Sequence, residues 1–463
     1  MGRNSTEAVS DPVIPFARNA RVRRWLLPLF TAVSNASLRA ITLASKLALT
    51  VAVARLLGPE DLGLFGLVAS AVALSVFALG FEYHYFTIRQ LVPLNAVERA
   101  AMIRDQVALH LLTLGAALPV GIWLAFNPQL DLLPARVIGW YLLLVPIELM
   151  ANELGIVLVA LERPVLSNVV LFLRSAGWVY IVIPLIAVQS DRGRALDWLF
   201  RGWWIGGAIS IGFAAYALRD LDWSAALPRP IDWQRLRHGV RVAVPFVVTS
   251  GASLGMLFVD RFIIEHHLGL VAVGIYTFFA SLTTGMHTLI YSAVSLLRMP
   301  RLVLAHRRDD QVSFHRELKV MTVLTLGALG ALALVLLGGI HPMLALVGRN
   351  AYSGSLNVFY LLLSAAACRA MADIPIYALY SRHRDGYLAA VNAAGFIASI
   401  AVNLLLIPRL GLPGAAIAAL TGSVVLLGLA TLALRLPAMP AADVLGWAQV
   451  VPPQETSHRS EFP

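Results

Sequence analysis

With 463 residues, 59% of them hydrophobic and only 13% charged, the chain departs far from a soluble domain, in which roughly 25% of residues are charged. Apolar stretches of about 20 residues, the length that crosses a ~30 Å hydrocarbon core as a helix, recur along nearly all of it, so lipid is the solvent for most of its surface. The net charge of +10, from 36 Lys and Arg against 26 Asp and Glu, would suggest nucleic acid in a soluble chain; here the cations lie in short connections between apolar runs, as membrane topology requires, and no nucleic-acid partner is expected.

Residues 1–27 form a polar segment bearing Arg18, Arg21, Arg23 and Arg24. It leads into an apolar run too long for a signal peptide, so that run is expected to stay as the first membrane helix. Hydropathy over windows of about 19 residues places spans near 28–57, 62–82, 105–126, 137–160, 165–188 and 198–217. A polar break with Pro228 and Pro230 follows, and a second set runs near 240–264, 271–296, 318–340, 356–379, 386–407 and 412–434. The expectation is an all-α polytopic membrane protein of about twelve helices. A first six-helix bundle would occupy 28–217, a cytoplasmic linker 218–239, a second bundle 240–434, and a flexible cytoplasmic tail 435–463.

The cations set the orientation. With the N-terminus inside, twenty-two Lys and Arg positions fall on inner connections, among them Arg89, Arg235, Arg307 and Arg384, against eight on outer connections and their helix ends. This asymmetry predicts cytoplasmic termini and an even number of spans.

An internal repeat organises the chain further. Leu57-Gly58-Pro59-Glu60-Asp61-Leu62-Gly63-Leu64-Phe65 aligns without gaps on Leu268-Gly269-Leu270-Val271-Ala272-Val273-Gly274-Ile275-Tyr276, at an offset of 211 residues, and a weaker echo begins at Leu410-Gly411. Glycines here would let the backbone reverse in a tight outer turn, although LGxxxxG is also common in membrane turns that are not repeats. Since each copy follows an odd-numbered span, the halves should be parallel repeats about an axis along the membrane normal, enclosing a central cavity.

ARLLGPEDLGLFGL at 54–67, VDRFIIEHHLGLVAVGIYTFFAS at 259–281 and LIPRLGLPGAAIA at 406–418 resemble the motifs of the polysaccharide biosynthesis transporters, the Wzx-type lipid-linked oligosaccharide flippases of the multidrug/oligosaccharidyl-lipid/polysaccharide superfamily. The resemblance implies a flippase of the bacterial inner membrane. It would turn undecaprenyl-pyrophosphate-linked repeat units from the cytoplasmic to the periplasmic leaflet by alternating access, for O-antigen, exopolysaccharide or capsule synthesis. Its partners would be that polyprenyl-pyrophosphate-linked glycan, membrane lipid and other polysaccharide assembly proteins; no cofactor and no metal is implied.

Ionisable residues inside spans cost about 2.5 to 3.5 kcal/mol each on insertion scales and normally face a cavity or a partner. In the first span Asn35, Arg39, Thr42, Lys46 and Thr50 recur at helical spacing on one face. Two cations on that stripe would suit an anionic diphosphate, Arg39 forking onto phosphate oxygens; alternatively a neighbouring carboxylate neutralises each. Arg174 stands more isolated in the fifth span and joins Asn35, Arg39 and Lys46 as a candidate for a cationic substrate cavity.

The seventh span repeats the stripe with Thr249, Ser253, Met256 and Asp260. Asp260-Arg261, near its outer end, is either a site pair or a local interfacial ion pair. Arg369 and Asp373 stand four apart on one helix and would satisfy each other. Glu82 beside Tyr83, His84 and Tyr85 reads as a cavity group or an interfacial belt. For ion coupling the candidates are Glu148, Glu153, Asp260 and Asp373; the first two are favoured because the others have an arginine adjacent in sequence or on the same helix.

Gly251-Ala252-Ser253-Leu254-Gly255 matches the hydrolase G-x-S-x-G, but that motif needs a strand-to-helix elbow and here lies in an apolar helix, where small residues serve helix packing. The sequons at Asn4 and Asn35 are cytoplasmic and intramembrane in this topology and should carry no sugar. The lone Cys368 excludes a disulfide framework within the chain, and the absence of a P-loop or HExxH motif removes those routes to ATP hydrolysis and zinc chemistry. Besides the flippase, two classes stay open: a cation-coupled multidrug exporter of the same superfamily, expected to keep a more apolar, aromatic and acidic cavity, and a membrane polysaccharide polymerase or ligase, which would need a large outer loop. The short outer loops favour a non-enzyme.

Overall fold

The computed structural model describes residues 16–125, 127, 133–189 and 191–437. Residues 1–15 with the Asn4 sequon, the side chains of Arg18, Arg21, Arg23 and Arg24, and the tail beyond Pro437 lie outside the described residues.

Apolar sequence in lipid must bond its backbone internally, and a helix does so within one segment. The described elements are accordingly helical. In the first half they are α1 (Phe16–Leu56), α2 (Pro59–Gly80), α3 (His84–Leu91), α4 (Ala96–Ala125), α5 (Ala135–Ala160), α6 (Pro164–Phe172), α7 (Val179–Val188), α8 (Arg192–Ala217) and α9 (Trp223–Ala226). The second half holds α10 (Trp233–Phe258), α11 (Asp260–Ile290), α12 (Leu296–Arg307), α13 (Gln311–Val347), α14 (Asn350–Ser353), α15 (Leu356–Ser381), α16 (Asp385–Leu410) and α17 (Leu412–Ala433). Short π-helical segments, Leu173–Gly177 and Tyr291–Ser295, join α6 to α7 and α11 to α12.

Ten helical segments among the described residues are long and apolar enough to cross a membrane, and the protein is a multi-pass membrane protein. One of the ten, 246–307, is 62 residues long, about 90 Å as straight helix, and is interrupted by Gly269 at φ 76°, ψ 177°. All twelve stretches expected as spans are helical. That near 198–217, in α8, falls outside the ten because Arg201, its tryptophans and its glycines dilute its hydropathy. Those glycines have a packing use: a Cβ on Gly202, Gly206 or Gly207 would sit 2.3, 2.3 and 2.2 Å from Val182, Trp178 and Ile147, so α8 lies close against α7 and α5.

The repeat is visible in the backbone. Gly58, Gly269 and Gly411 all adopt positive φ, at 111°, 76° and 66°, where a side chain would be strained. Just beyond the first two turns α2 and α11 pack on each other reciprocally. A Cβ on Gly63 would lie 2.0 Å from the Leu270 carbonyl oxygen, and one on Gly274 would lie 1.7 Å from the Pro59 carbonyl oxygen. Each residue thus meets the neighbour of its own repeat partner, as a two-fold relation between the halves requires. At this glycine end Arg349 donates from Nη2 to the Arg55 carbonyl at 2.9 Å, capping the C-terminus of α1 from the second half.

The opposite end holds the connections rich in arginine. There Arg104 of α4 donates from Nη1 to the carbonyls of Ala226 and Arg229 and from Nη2 to Pro230. The 218–232 stretch is thereby docked against the first half instead of hanging free. The largest buried core includes Val53, Leu64, Phe200, Phe278 and Phe359, drawn from both halves.

The G-x-S-x-G run lies inside α10. Gly251 meets the Phe77 ring and Gly255 the Phe396 ring, so its small residues let α2 and α16 approach.

Candidate functional site

Three neighbouring cavities share residues of α10; two lie between the halves, and the third is lined by the second half alone. The largest, about 430 Å³, is lined by Lys46 and Thr50 of α1, Phe65 and Ser70 of α2, Glu148, Arg174, Trp178, Trp203 and Arg261. A second, about 350 Å³, shares Ala69, Glu148, Arg174, Trp203 and Phe258 with it and continues to Asn152, Glu153, Glu82 and His84. The third, about 150 Å³, shares Arg261 and Thr284 with the first and holds Ser253, Met256, Asp260, Tyr276, His287 and Arg369. From Leu62 to Gly80, α2 lines the first two over about 27 Å. The Gly63–Gly274 contact falls at the glycine end of this stretch, one residue after Leu62.

The structure brings together only part of the expected cationic stripe. Lys46 is exposed to the largest cavity, within electrostatic range of Arg174 and Glu148, and among the described residues it forms no ion pair. Asn35 and Arg39 are not on a cavity wall. Arg39 Nε donates to Asn168 Oδ1 at 3.1 Å, and Asn168 Nδ2 donates to Asn35 Oδ1 at 2.7 Å. That chain ties α1 to α6 through a neutral amide, and among the described residues Arg39 meets no carboxylate. Thr42 turns back on its own helix at the Leu38 carbonyl.

Arg174 is not isolated. Its Nη1 lies 3.4 Å from Glu148 Oε2 and donates to Asn152 Oδ1 at 3.2 Å. Trp203 Nε1 donates to Glu148 Oε1 at 2.6 Å. The reason for favouring Glu148 as an ion-coupling carboxylate therefore fails, because an arginine does hold it. Glu153 differs. It accepts from Gln106 Nε2 at 2.9 Å and Asn152 Nδ2 at 3.3 Å, with His110 Nε2 at 3.6 Å. Glu153 and His110 are both buried.

Asp260 and Arg261 are buried as well, 3.3 Å apart, and Asp260 accepts from the Tyr276 hydroxyl. They stand nine and eight residues short of Gly269, about 12 to 14 Å down the helix, and both line the third cavity. The expected Arg369–Asp373 pair does not form. Asp373 takes His287 at 3.0 Å, while Arg369 reaches Ser253 Oγ at 3.4 Å and the Met256 sulfur. Among the described residues Arg369, like Lys46, has no carboxylate partner.

Glu82 and His84 close the arginine end of the second cavity, 3.4 Å apart. Both lie outside the candidate spans. Burial raises the Glu82 carboxyl to about 7 against a hydrogen bond from Ser250, and burial lowers His84 to about 4.

Trp178 and Trp203 were not legible as site residues. A tryptophan in a membrane span ordinarily reads as an interface anchor, and only the packing of α7 on α8 turns these two inward.

No protein-family model matches the chain, and no curated protein matches its sequence. Solved structures do resemble it. One described as the inward-facing conformation of a multidrug resistance MATE family transporter of the MOP superfamily superposes with a TM-score of 0.67 at 14% identity, over 87% of this chain and 97% of that one. An outward-facing conformation of such a transporter gives 0.54 at 15% identity, over 87% and 94%. A MATE in complex with MaL6 gives 0.54 at 14%, over 87% and 95%. The chain therefore has the fold of the MATE transporters of the MOP superfamily, a membrane transporter architecture.

Proposed function

We propose that the protein is a flippase of the bacterial inner membrane that carries a polyprenyl-diphosphate-linked oligosaccharide from the cytoplasmic to the periplasmic leaflet, by alternating access and without catalysing a covalent step. The observation that carries the reading is the pair Lys46 and Arg369. Among the described residues these are two intramembrane cations without carboxylate partners, on the walls of adjoining cavities that also present Arg174 and Arg261. An unpaired cation in a span is expensive unless an anion visits it, and a diphosphate head is such an anion. The two units at 28–217 and 240–434, with cytoplasmic termini, are part of this reading, and so is its supply of substrate by other polysaccharide assembly proteins. Cells lacking the chain should accumulate a diphosphate-linked glycan on the cytoplasmic leaflet, and re-expression should clear it. Unchanged leaflet distribution would overturn the proposal.

One observation favours a second reading. The second cavity carries acidic and aromatic groups, Glu82, Glu153, Phe77, Phe258 and Trp203, a lining suited to organic cations. A multidrug exporter would alter susceptibility to cationic dyes and leave glycolipid distribution untouched.

A further inference from the structure

We infer that Glu148 stands in for the substrate's anion, pairing with Arg174 while the cavity is empty and yielding that place when a diphosphate arrives. The inference rests on the reading of the cavity as a diphosphate site, and it concerns how that site avoids both an uncompensated charge and an over-tight complex.

Arg174 projects from the π-helical segment into the region common to the two larger cavities. A guanidinium that served only to pair would present a parallel fork to the carboxylate. Here a single nitrogen, Nη1, faces Glu148 at 3.4 Å, and the buried Nε has no hydrogen-bond partner. The pair is therefore incomplete on the arginine side. Glu148 is complete without the arginine in one respect, since its other oxygen accepts from Trp203 Nε1 at 2.6 Å. When an incoming diphosphate takes the guanidinium, Glu148 keeps the indole.

Charge leads to the same assignment. Lys46 lines the same cavity and, among the described residues, forms no ion pair. A diphosphate has oxygens enough to take Lys46 and the guanidinium of Arg174 together, both of which line this cavity, whereas the carboxylate of Glu148 pairs with Arg174 alone. The exchange thus adds contacts for the substrate and never leaves the half-buried Arg174 uncompensated within the span, a state that is unfavourable. The same competition limits affinity, so that the head is released on the far side.

The test is equilibrium binding of farnesyl diphosphate to the detergent-solubilised full chain. Arg174→Gln should weaken binding at least tenfold. Glu148→Gln should tighten it about tenfold, and the double variant E148Q/R174Q should bind like R174Q alone, because the gain requires the freed guanidinium. Glu148→Asp, which keeps the charge but draws the carboxylate back by one methylene, should tighten binding a few-fold and decides the matter if E148Q does not fold. Binding unchanged or weakened in E148Q or E148D, with R174Q still weaker than wild type, makes Glu148 a structural partner and overturns the inference while the diphosphate cavity stands. If R174Q binds as wild type does, the diphosphate reading itself fails, and the inference with it.

Discussion

Gly63 and Gly274 touch backbone to backbone, each filling the space beside a carbonyl of the opposite helix, Leu270 for one and Pro59 for the other. With no Cβ on either, α2 and α11 close the glycine end of the cavity by direct contact. Substituting either by Ala should force the helices apart, a change that in a packed core costs about 1 to 3 kcal/mol. Thermal unfolding of G63A or G274A should shift down by several degrees and transport should fall severalfold. Gly115→Ala and Gly327→Ala, with nothing near the new methyl, should match wild type. Equal behaviour of all four variants would show that the contact does not matter.

Lys46→Ala and Arg369→Ala should each reduce complementation of a flippase-deficient cell by at least tenfold while leaving the protein in the membrane. Arg39→Ala, whose partner is the Asn168 amide, should retain most activity and lower stability by about 1 kcal/mol. A reversed order, with R39A inactive and K46A active, would move the substrate site away from the cavity.

Single cysteines at Arg235 and Arg307 should label only from the cytoplasmic side of intact cells, and a cysteine at Arg349 only from the periplasmic side. Labelling of the first two from outside would invert the topology.

Glu82 titrates near neutrality because it is buried. With a folded pKa of about 7 against an ordinary 4.5, the folded state holds this proton more tightly than the unfolded chain, so its contribution to stability falls as pH rises from about 4.5 to 7. His84, lowered to about 4, works oppositely and costs stability below about 6.5. Glu82→Gln should therefore gain a few degrees of melting temperature over wild type at pH 8 and little at pH 5. A constant difference across that range would contradict the assignment.

Glu153 is held by two amides beside His110 and borders the second cavity, and ion coupling is expected to run through it. Proteoliposomes with independently set pH and Na⁺ gradients should show transport driven by one of them, and Glu153→Gln should lose at least half of that drive. Transport indifferent to both gradients and to E153Q would leave the membrane potential, worth about 2.3 kcal/mol per charge per 100 mV, as the driving force.

The fold was largely legible because hydropathy and the helical period act locally. Each apolar run became helix, and the LGxxxxG offset of 211 residues reappeared as paired glycine turns. Of the second stripe, Ser253 and Met256 of α10 and Asp260 of α11 line one cavity, and Thr249 is not among its lining residues. Partnerships between helices were another matter. Arg39 found Asn168 at a separation of 129 residues, and Arg174 found Glu148 at 26; neither distance is encoded in a periodicity. The Arg369–Asp373 expectation failed because i,i+4 proximity only permits a pair, while His287 and Ser253, brought in by α11 and α10, bound each side chain more closely.

The π-helical turn at Leu173–Gly177 gives the chain beside Arg174 a tolerance for length that a regular helix lacks. Such a turn holds one residue more than an α-helix would over the same rise, so removing one residue after Arg174, from Ser175 to Gly177, would let the helix wind regularly while both flanks keep their faces. Trp178 and Val182 would stay seated on Gly206 and Gly202. A gene with one such codon deleted should yield an inserted protein that still transports, whereas a one-codon deletion in the regular helix α5, which turns every later side chain by about 100°, should not.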